Sequence, residues 1–98
     1  MRAGFRKFRS IRLSESLQGE LFFMLKNYKY KSCRVQMEIV NLCEEIGGEN
    51  AVALFELLTT DSSAVQINMR YYIPERALYD MRRDFYHKWF ERGMNRME

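Results

Sequence analysis

The stretch INMRYYIPERALYDMRRDF, residues 67–85, decides how this chain is interpreted. Pro74 keeps the residue before it out of the helical conformation, so a boundary between two elements falls at Ile73. Proline in a first turn, followed by Glu75, is a favourable helix start, and Gly93 is a favourable end. The apolar seam of this helix repeats every three or four residues, at Leu78, Met81, Phe85 and Trp89. The sequence therefore predicts a C-terminal helix with one buried side and one charged side.

Residues 64–73, just before Pro74, fit two interpretations. If the segment is a helix, Ala64, Ile67 and Tyr71 face inward. If it is a strand, apolar and polar residues alternate from Val65 to Ile73 without exception. A strand needs a partner, and residues 8–13, the only candidate, alternate poorly. We therefore expect a helix, and keep as the alternative an α+β fold with a strand at 64–73.

Three further helices are predicted upstream, at about residues 14–30, 32–46 and 49–59. Ser14 is a favourable N-cap, and Gly47 with Gly48 forms a stop because glycine accepts left-handed conformations. The expected fold is all-α, a bundle of three to four helices with a C-terminal helix-turn-helix. Residues 1–13 are expected to form a basic arm, 14–93 a single helical domain and 94–98 a frayed tail.

The charge is unevenly distributed along the chain, although its net value is only +3. Residues 1–13 carry five basic side chains and no acidic one, residues 14–63 carry four basic and eight acidic ones, and residues 64–98 carry seven basic and five acidic ones. The arm also interleaves cations with Phe5 and Phe8, a composition that suits nucleic acid because phosphates bind the charges and bases stack on the rings. Both ends of the chain therefore favour an anionic partner.

Residues 67–79 resemble the helix-turn-helix pattern of DNA-binding proteins. The apolar places of that pattern are taken by Ile67, Tyr71, Ile73 and Leu78. Residues 74–76, PER, take the place of the usual Ser-Glu-Arg opening, and the usual run of tyrosine and arginine is matched by Tyr79, Arg82 and Arg83. Two positions depart from the pattern: Asn68 replaces a small residue, and Tyr72 replaces the glycine that supplies a left-handed turn.

Residues 25–31, LKNYKYK, followed by a leucine-bearing helix, are similar to the start of small ArpU/RinA-type phage regulators, which resemble region four of sigma factors. The resemblance is diffuse and spans about residues 20–90. It implies a cytoplasmic, sequence-specific transcriptional regulator of a phage or mobile element that binds double-stranded DNA, and a homodimer is one possible form.

The DNA contacts expected from this resemblance lie in three places. On the recognition helix they are Arg76, Tyr79, Asp80, Arg82, Arg83 and His87. Ser62, Ser63 and Arg70 lie at the preceding helix, where serine hydroxyls and first-turn amides would hold a phosphate. The arm contributes Arg6, Lys7 and Arg9. The opposing interpretation is an ordinary solvated face in which these arginines pair with Glu75, Asp80 and Asp84.

An enzyme is not expected from this sequence, and neither is a cofactor or a metal site. His87 is the one histidine, no glycine-rich phosphate loop is present, and Cys33 and Cys43 lack the spacing of a zinc site. If both cysteines lie on one helix they are too far apart to form a disulfide, and free thiols suit the cytoplasm. No apolar run is long enough to span a membrane.

Two alternatives to DNA binding remain. A small inhibitor or adaptor that binds a host protein would explain the seven methionines and an excess of aromatics on the last helix, at Tyr86, Trp89 and Phe90. An oligomeric structural protein would use the first two helices as its dimer seam.

Overall fold

The computed structural model describes residues 7–9 and 11–94, and every regular element in these ranges is a helix, with no strand. The helices are α1 (Glu15–Lys26), α2 (Cys33–Gly47), α3 (Ala51–Thr59), α4 (Ala64–Tyr71) and α5 (Glu75–Glu91). Short 3-10 turns occupy Tyr28–Tyr30 and Gly48–Asn50. The all-α prediction is confirmed, and the alternative strand at 64–73 is wrong because α4 occupies that segment.

Serine side chains begin three of the helices. The hydroxyls of Ser14, Ser32 and Ser63 accept hydrogen bonds from backbone amides in the first turns of α1, α2 and α4. At α4 the bond is reciprocal, because Gln66 Oε1 accepts from the amide of Ser63 at 2.8 Å. Each such cap stabilises a helix by about 1 kcal/mol, so the helix starts are fixed locally by the sequence.

The first helix is shorter than predicted. α1 ends at Lys26, and the side-chain amide of Asn27 donates to the carbonyl of Phe23 at 2.8 Å. The chain then turns through Tyr28–Tyr30, and Gln36 donates to the carbonyl of Tyr28 at 2.9 Å. Because these bonds bend the chain before Ser32, α1 and α2 are separate helices, not one long helix.

Two clusters of buried side chains form the interior. The large core joins α1, α2, α3 and the second half of α5, and its buried members are Ile11, Leu21, Leu25, Val35, Ile39, Leu42, Cys43, Leu54, Leu58, Phe85, Tyr86 and Trp89. The small core joins α3, α4 and the start of α5 through Ala53, Leu57, Ala64, Ile67, Ile73 and Leu78. The predicted seam of α5 is confirmed, since Leu78, Phe85 and Trp89 are buried and Met81 is half-buried.

The described residues of the expected basic arm, 7–9 and 11–13, pack against the bundle. Ile11 is only 2% exposed and belongs to the large core. Gln18, which is buried on α1, accepts from the amide of Phe8 at 2.8 Å and donates to the carbonyls of Ile11 at 3.0 Å and Leu13 at 2.9 Å. A buried amide that satisfies three backbone groups holds this segment against the bundle.

The end of the last helix and the two cysteines agree with the sequence-based predictions, whereas residues 95–98 of the expected frayed tail lie outside the described residues. α5 is followed by Gly93, which has a φ of 68°. Cys33 and Cys43 both lie on α2 and are free, the first exposed and the second in the large core, as predicted. None of the helices in the described ranges is both long enough and apolar enough to cross a bilayer.

Candidate nucleic-acid interface

A three-residue connection of unusual conformation joins α4 to α5. Tyr72 lies in the left-handed region at φ 59° and ψ 38°, and its amide donates to the carbonyl of Asn68 at 2.8 Å. The Asn68 side chain donates to the carbonyl of Ile73 at 2.6 Å, which holds the following residue in place. The departure at Asn68 therefore has a structural role, whereas the departure at Tyr72 places a tyrosine in a conformation that costs on the order of 1–3 kcal/mol.

The apolar positions of the sequence pattern hold the two helices together. Ile67, Ile73 and Leu78 are buried in the small core. Tyr71 is half-buried, and its hydroxyl donates to Glu56 of α3 at 2.9 Å. The connection between α4 and α5 is thus fixed from inside by packing and from α3 by a hydrogen bond.

The outward face of α5 carries four of the predicted contact residues. Arg76 and Tyr79 are exposed, and Arg76 forms no ion pair within residues 7–9 and 11–94. Arg83 donates to Asp80 at 3.2 Å and to Asp84 at 3.3 Å. Because both acids are about half exposed, these pairs stabilise the fold little and can be exchanged for another anion.

Arg82 and His87, also predicted as DNA contacts, are engaged with other residues of the protein. The guanidinium of Arg82 lies 3.8 Å from the ring centroid of Phe8 and 5.1 Å from that of Tyr79. Partial burial lowers the pKa of Arg82, although arginine stays charged at any physiological pH. His87 Nε2 accepts a hydrogen bond from the amide of Arg12 at 3.0 Å, so it fixes the segment before α1.

Arg70 and Ser62 contact α3 through one carboxylate. Glu56 forms an ion pair with Arg70 and accepts a hydrogen bond from the hydroxyl of Ser62 at 3.2 Å. The same carboxylate receives the hydroxyl of Tyr71. Arg70 and Ser62, both predicted as DNA contacts, therefore hold α4 and the connection before it against α3.

Ser63 is the N-cap of α4 and is exposed. Its side chain and that of Gln66 form the reciprocal cap. The amides of Ala64 and Val65, which follow in the first turn, have no acceptor within the described part of the chain. The start of α4 therefore presents two unused N–H groups.

The predicted contacts of the arm are only partly placed. Lys7 and Arg9 are exposed, whereas Arg6 lies outside the described residues. The side chains of Lys7 and Arg9 form no ion pair within residues 7–9 and 11–94.

A cavity of about 430 Å³ opens between α1, the α3–α4 connection and α5. It is lined by Phe8, Phe22, Lys26, Leu57, Leu58, Asp61, Ser62, Ser63, Ala64, Tyr79, Arg82 and Tyr86. Burial lowers the pKa of Lys26, Asp61 opposes that change, and Arg82 adds to it. Lys26 was not predicted as a site residue, because nothing in the sequence relates it to residues 62 and 82.

Cys43 is a buried thiol of the large core. Burial raises the pKa of Cys43 to about 12, so this thiol stays protonated at neutral pH. Within residues 7–9 and 11–94, no three side chains of the metal-binding types form a cluster.

Comparison of the chain with family models, curated proteins and solved structures gave no match. The assignment of a function therefore depends on the geometry of α4, α5 and their surroundings.

Proposed function

We propose that the protein is a sequence-specific regulator that binds double-stranded DNA, with α5 in the major groove. The observation that carries the proposal is the left-handed turn at Tyr72, which stands where the resembled motif has glycine. The burial of Ile67, Ile73 and Leu78 on the two sides of this turn supports it. Two helices held in this way leave the first half of the second helix available to a groove.

The mechanism divides the contacts into those to bases and those to the backbone. Arg76 and Arg83 would donate to the edges of guanine, and Asp80 would accept from the amino group of cytosine. Tyr79 lies between them on the same helical face and would contact a base or sugar. The amides at the start of α4 would bind a phosphate, and Lys7 and Arg9 would follow the backbone. A protein with this division would act at an operator or promoter, as the ArpU/RinA-type resemblance implies.

The acids on α5 set a condition on this mechanism. Arg83 is held by Asp80 and Asp84, so binding must exchange exposed ion pairs for contacts to DNA. Exposed pairs of this kind contribute about 0–1 kcal/mol, whereas a bidentate contact between arginine and guanine discriminates by about 1–3 kcal/mol. The exchange is therefore favourable at a matching site and unfavourable at most others, which is the behaviour of a sequence-specific protein.

The test begins with selection of a duplex from a random library by the wild-type protein. Arg76→Ala combined with Arg83→Ala should abolish binding to the selected duplex while leaving the helical circular dichroism unchanged. Lys29→Ala combined with Arg34→Ala, which removes the same two positive charges from exposed positions away from α5, is the matched control. Unchanged affinity of the double variant would overturn the assignment of α5 as the recognition helix.

One observation favours a second candidate, an inhibitor or adaptor that binds a protein. The outer face of α4 exposes Val65 at 49%, Met69 at 70% and, in the turn, Tyr72 at 88%. Exposed apolar side chains at this spacing suit a protein interface. The aromatic excess of α5 does not support the candidate, because Tyr86 and Trp89 lie in the large core.

The two candidates respond differently to substitution. If a host protein is the partner, Met69→Asp should abolish its capture from nuclease-treated host lysate, and the Arg76→Ala/Arg83→Ala double variant should still capture it. Loss of the partner on nuclease treatment alone would count against this candidate and in favour of DNA.

A further inference from the structure

The cavity between α1 and α5 brings together two cations and one carboxylate. Lys26 enters it from α1 and Arg82 from α5, and neither forms an ion pair within the described ranges, although Asp61 also lines the cavity. Burial lowers the pKa of Lys26, Asp61 opposes that change, and the charge of Arg82 adds to it, so the two cations repel each other across the cavity while Asp61 offsets this repulsion. Like charges held together in partly buried space are stabilised by an anion between them.

Both cations have hydrogen-bond donors to spare. Lys26 donates to the carbonyl of Thr60, which uses one of its three N–H groups. Arg82 is held by stacking, with its guanidinium 3.8 Å from the ring centroid of Phe8, and it makes no hydrogen bond within residues 7–9 and 11–94. A stacked guanidinium keeps its N–H groups at the edge of the plane, where they suit a planar or tetrahedral oxyanion.

The first turn of α4 opens on the same cavity. Ser63 and Ala64 line it, and the amide of Ala64 has no acceptor within the described part of the chain. Backbone donors at a helix start add to the two side chains, and the positive end of the helix dipole favours an anion there. Asp61 also lines the cavity, and its carboxylate opposes an anion.

We propose that this cavity binds a phosphate group, with Lys26 and Arg82 as its cationic ligands and the start of α4 as its source of backbone donors. The group is a phosphodiester of DNA or the phosphate of a free small molecule. The first source rests on the proposed function, and the second is independent of it. Arg82, predicted from the sequence as a DNA contact on the recognition helix, is therefore assigned to the phosphate site.

The primary test is a titration of the ¹⁵N-labelled protein with inorganic phosphate, at ionic strength held constant with chloride. The amide signals of Ala64 and Val65 should shift and saturate. Lys26→Gln should weaken binding about tenfold, the effect of losing one charge-assisted hydrogen bond. Arg82→Gln should weaken it similarly, and Asp61→Asn should tighten it by removing the opposing charge.

A control variant tests whether the effect is specific to the cations of the cavity. Lys29→Gln removes an exposed cation from the neighbouring turn and should leave the titration unchanged. If Arg82→Gln disrupts local structure because Arg82 also packs on Phe8, the opposite effects of Lys26→Gln and Asp61→Asn decide the result. Absence of a saturable shift, or equal shifts in wild type and Lys26→Gln, would overturn the proposal.

A second arm separates the two sources of phosphate. If the group is a phosphodiester of DNA, Lys26→Gln should weaken binding to the selected duplex and reduce its salt slope by about one. If the group belongs to a free ligand, the phosphate titration should saturate and the DNA affinity should stay unchanged. If inorganic phosphate gives no saturable shift but Arg76→Ala/Arg83→Ala still abolishes DNA binding, the phosphate site in the cavity is rejected. The proposal that α5 binds DNA then stands.

Discussion

The large core and the small core share α3 and α5 but differ in what they bury. The large core encloses Phe85, Tyr86 and Trp89 from the second half of α5, and these are among the bulkiest buried side chains. The small core contains six residues without an aromatic ring, and it supports α4, the Tyr72 turn and the first half of α5. Stabilisation is therefore concentrated at one end of α5, whereas the exposed and unpaired Arg76 lies at the other.

The strong anchoring of one end of α5 compensates for unfavourable features at its other end. The left-handed tyrosine at position 72 costs on the order of 1–3 kcal/mol, and Arg76 places a cation in the first turn of α5, where the helix dipole disfavours it. Large aromatic residues at the far end of α5 stabilise the helix in spite of both features.

Trp89→Ala should cause the largest loss of stability. Removal of a fully buried indole costs about 3–5 kcal/mol, a large share of the stability of a small domain. The free energy of unfolding in urea measures it, with Phe90→Ala, a partly buried neighbour, as the control. A loss below about 1 kcal/mol would contradict the assignment of the large core as the main source of stability.

Ile67→Ala should weaken the small core by less. The side chain is buried, and its truncation costs about 2–4 kcal/mol according to how well the site collapses. The same urea experiment measures this loss. A loss equal to or greater than that of Trp89→Ala would remove the difference between the two cores.

Tyr72→Gly should stabilise the protein by about 1 kcal/mol, because glycine adopts the left-handed conformation without strain. The tyrosine ring is 88% exposed, so little packing is lost. Tyr72→Ala keeps the strain and should show no gain in the same unfolding experiment. Destabilisation by Tyr72→Gly would mean that the ring contributes more than the turn costs.

Glu45→Gln should have the smallest effect, and the effect should depend on pH. Nη1 of Arg92 donates a hydrogen bond to Oε1 of Glu45 at 2.8 Å. This bond lowers the pKa of Glu45 below its ordinary value of 4.5. The pair therefore contributes stability above that value, and the contribution disappears as the pH falls through the lowered pKa.

Urea midpoints compared from neutral pH to below 4.5 should show a difference between wild type and Glu45→Gln that vanishes in acid. Glu44→Gln alters an exposed neighbouring carboxylate that has no arginine partner in the described ranges, and it serves as the control. A difference that grows in acid would contradict the sign of the pKa shift.

The helices could be predicted from the sequence wherever a start signal and an apolar stripe agreed, as at Ser32 for α2 and Pro74 for α5. The segment 64–73 was ambiguous because α4 carries Val65 and Met69 on its exposed face. Those two residues complete a period-two pattern that hides the helical one. Tyr86 was counted in the aromatic excess that favours an adaptor, but it is buried, with the ring of Phe8 at 5.8 Å between centroids.

The candidate site could be predicted only in part. Arg76, Tyr79 and Arg83 follow from helical spacing once Pro74 fixes the start of α5. The cavity could not be predicted, since it depends on how α1 crosses the connection between α3 and α4. Residues 26, 61 and 82 meet there through packing of the whole bundle, and no local pattern in the sequence encodes that meeting.

The proposed function places DNA at the small-core end of the molecule. A titration of the ¹⁵N-labelled protein with the selected duplex, followed through backbone amide shifts, tests this location. The perturbed amides should lie within residues 62–83, at the start of α4 and the first half of α5. Perturbation confined to α2 and α3, or no perturbation by any duplex, would contradict it.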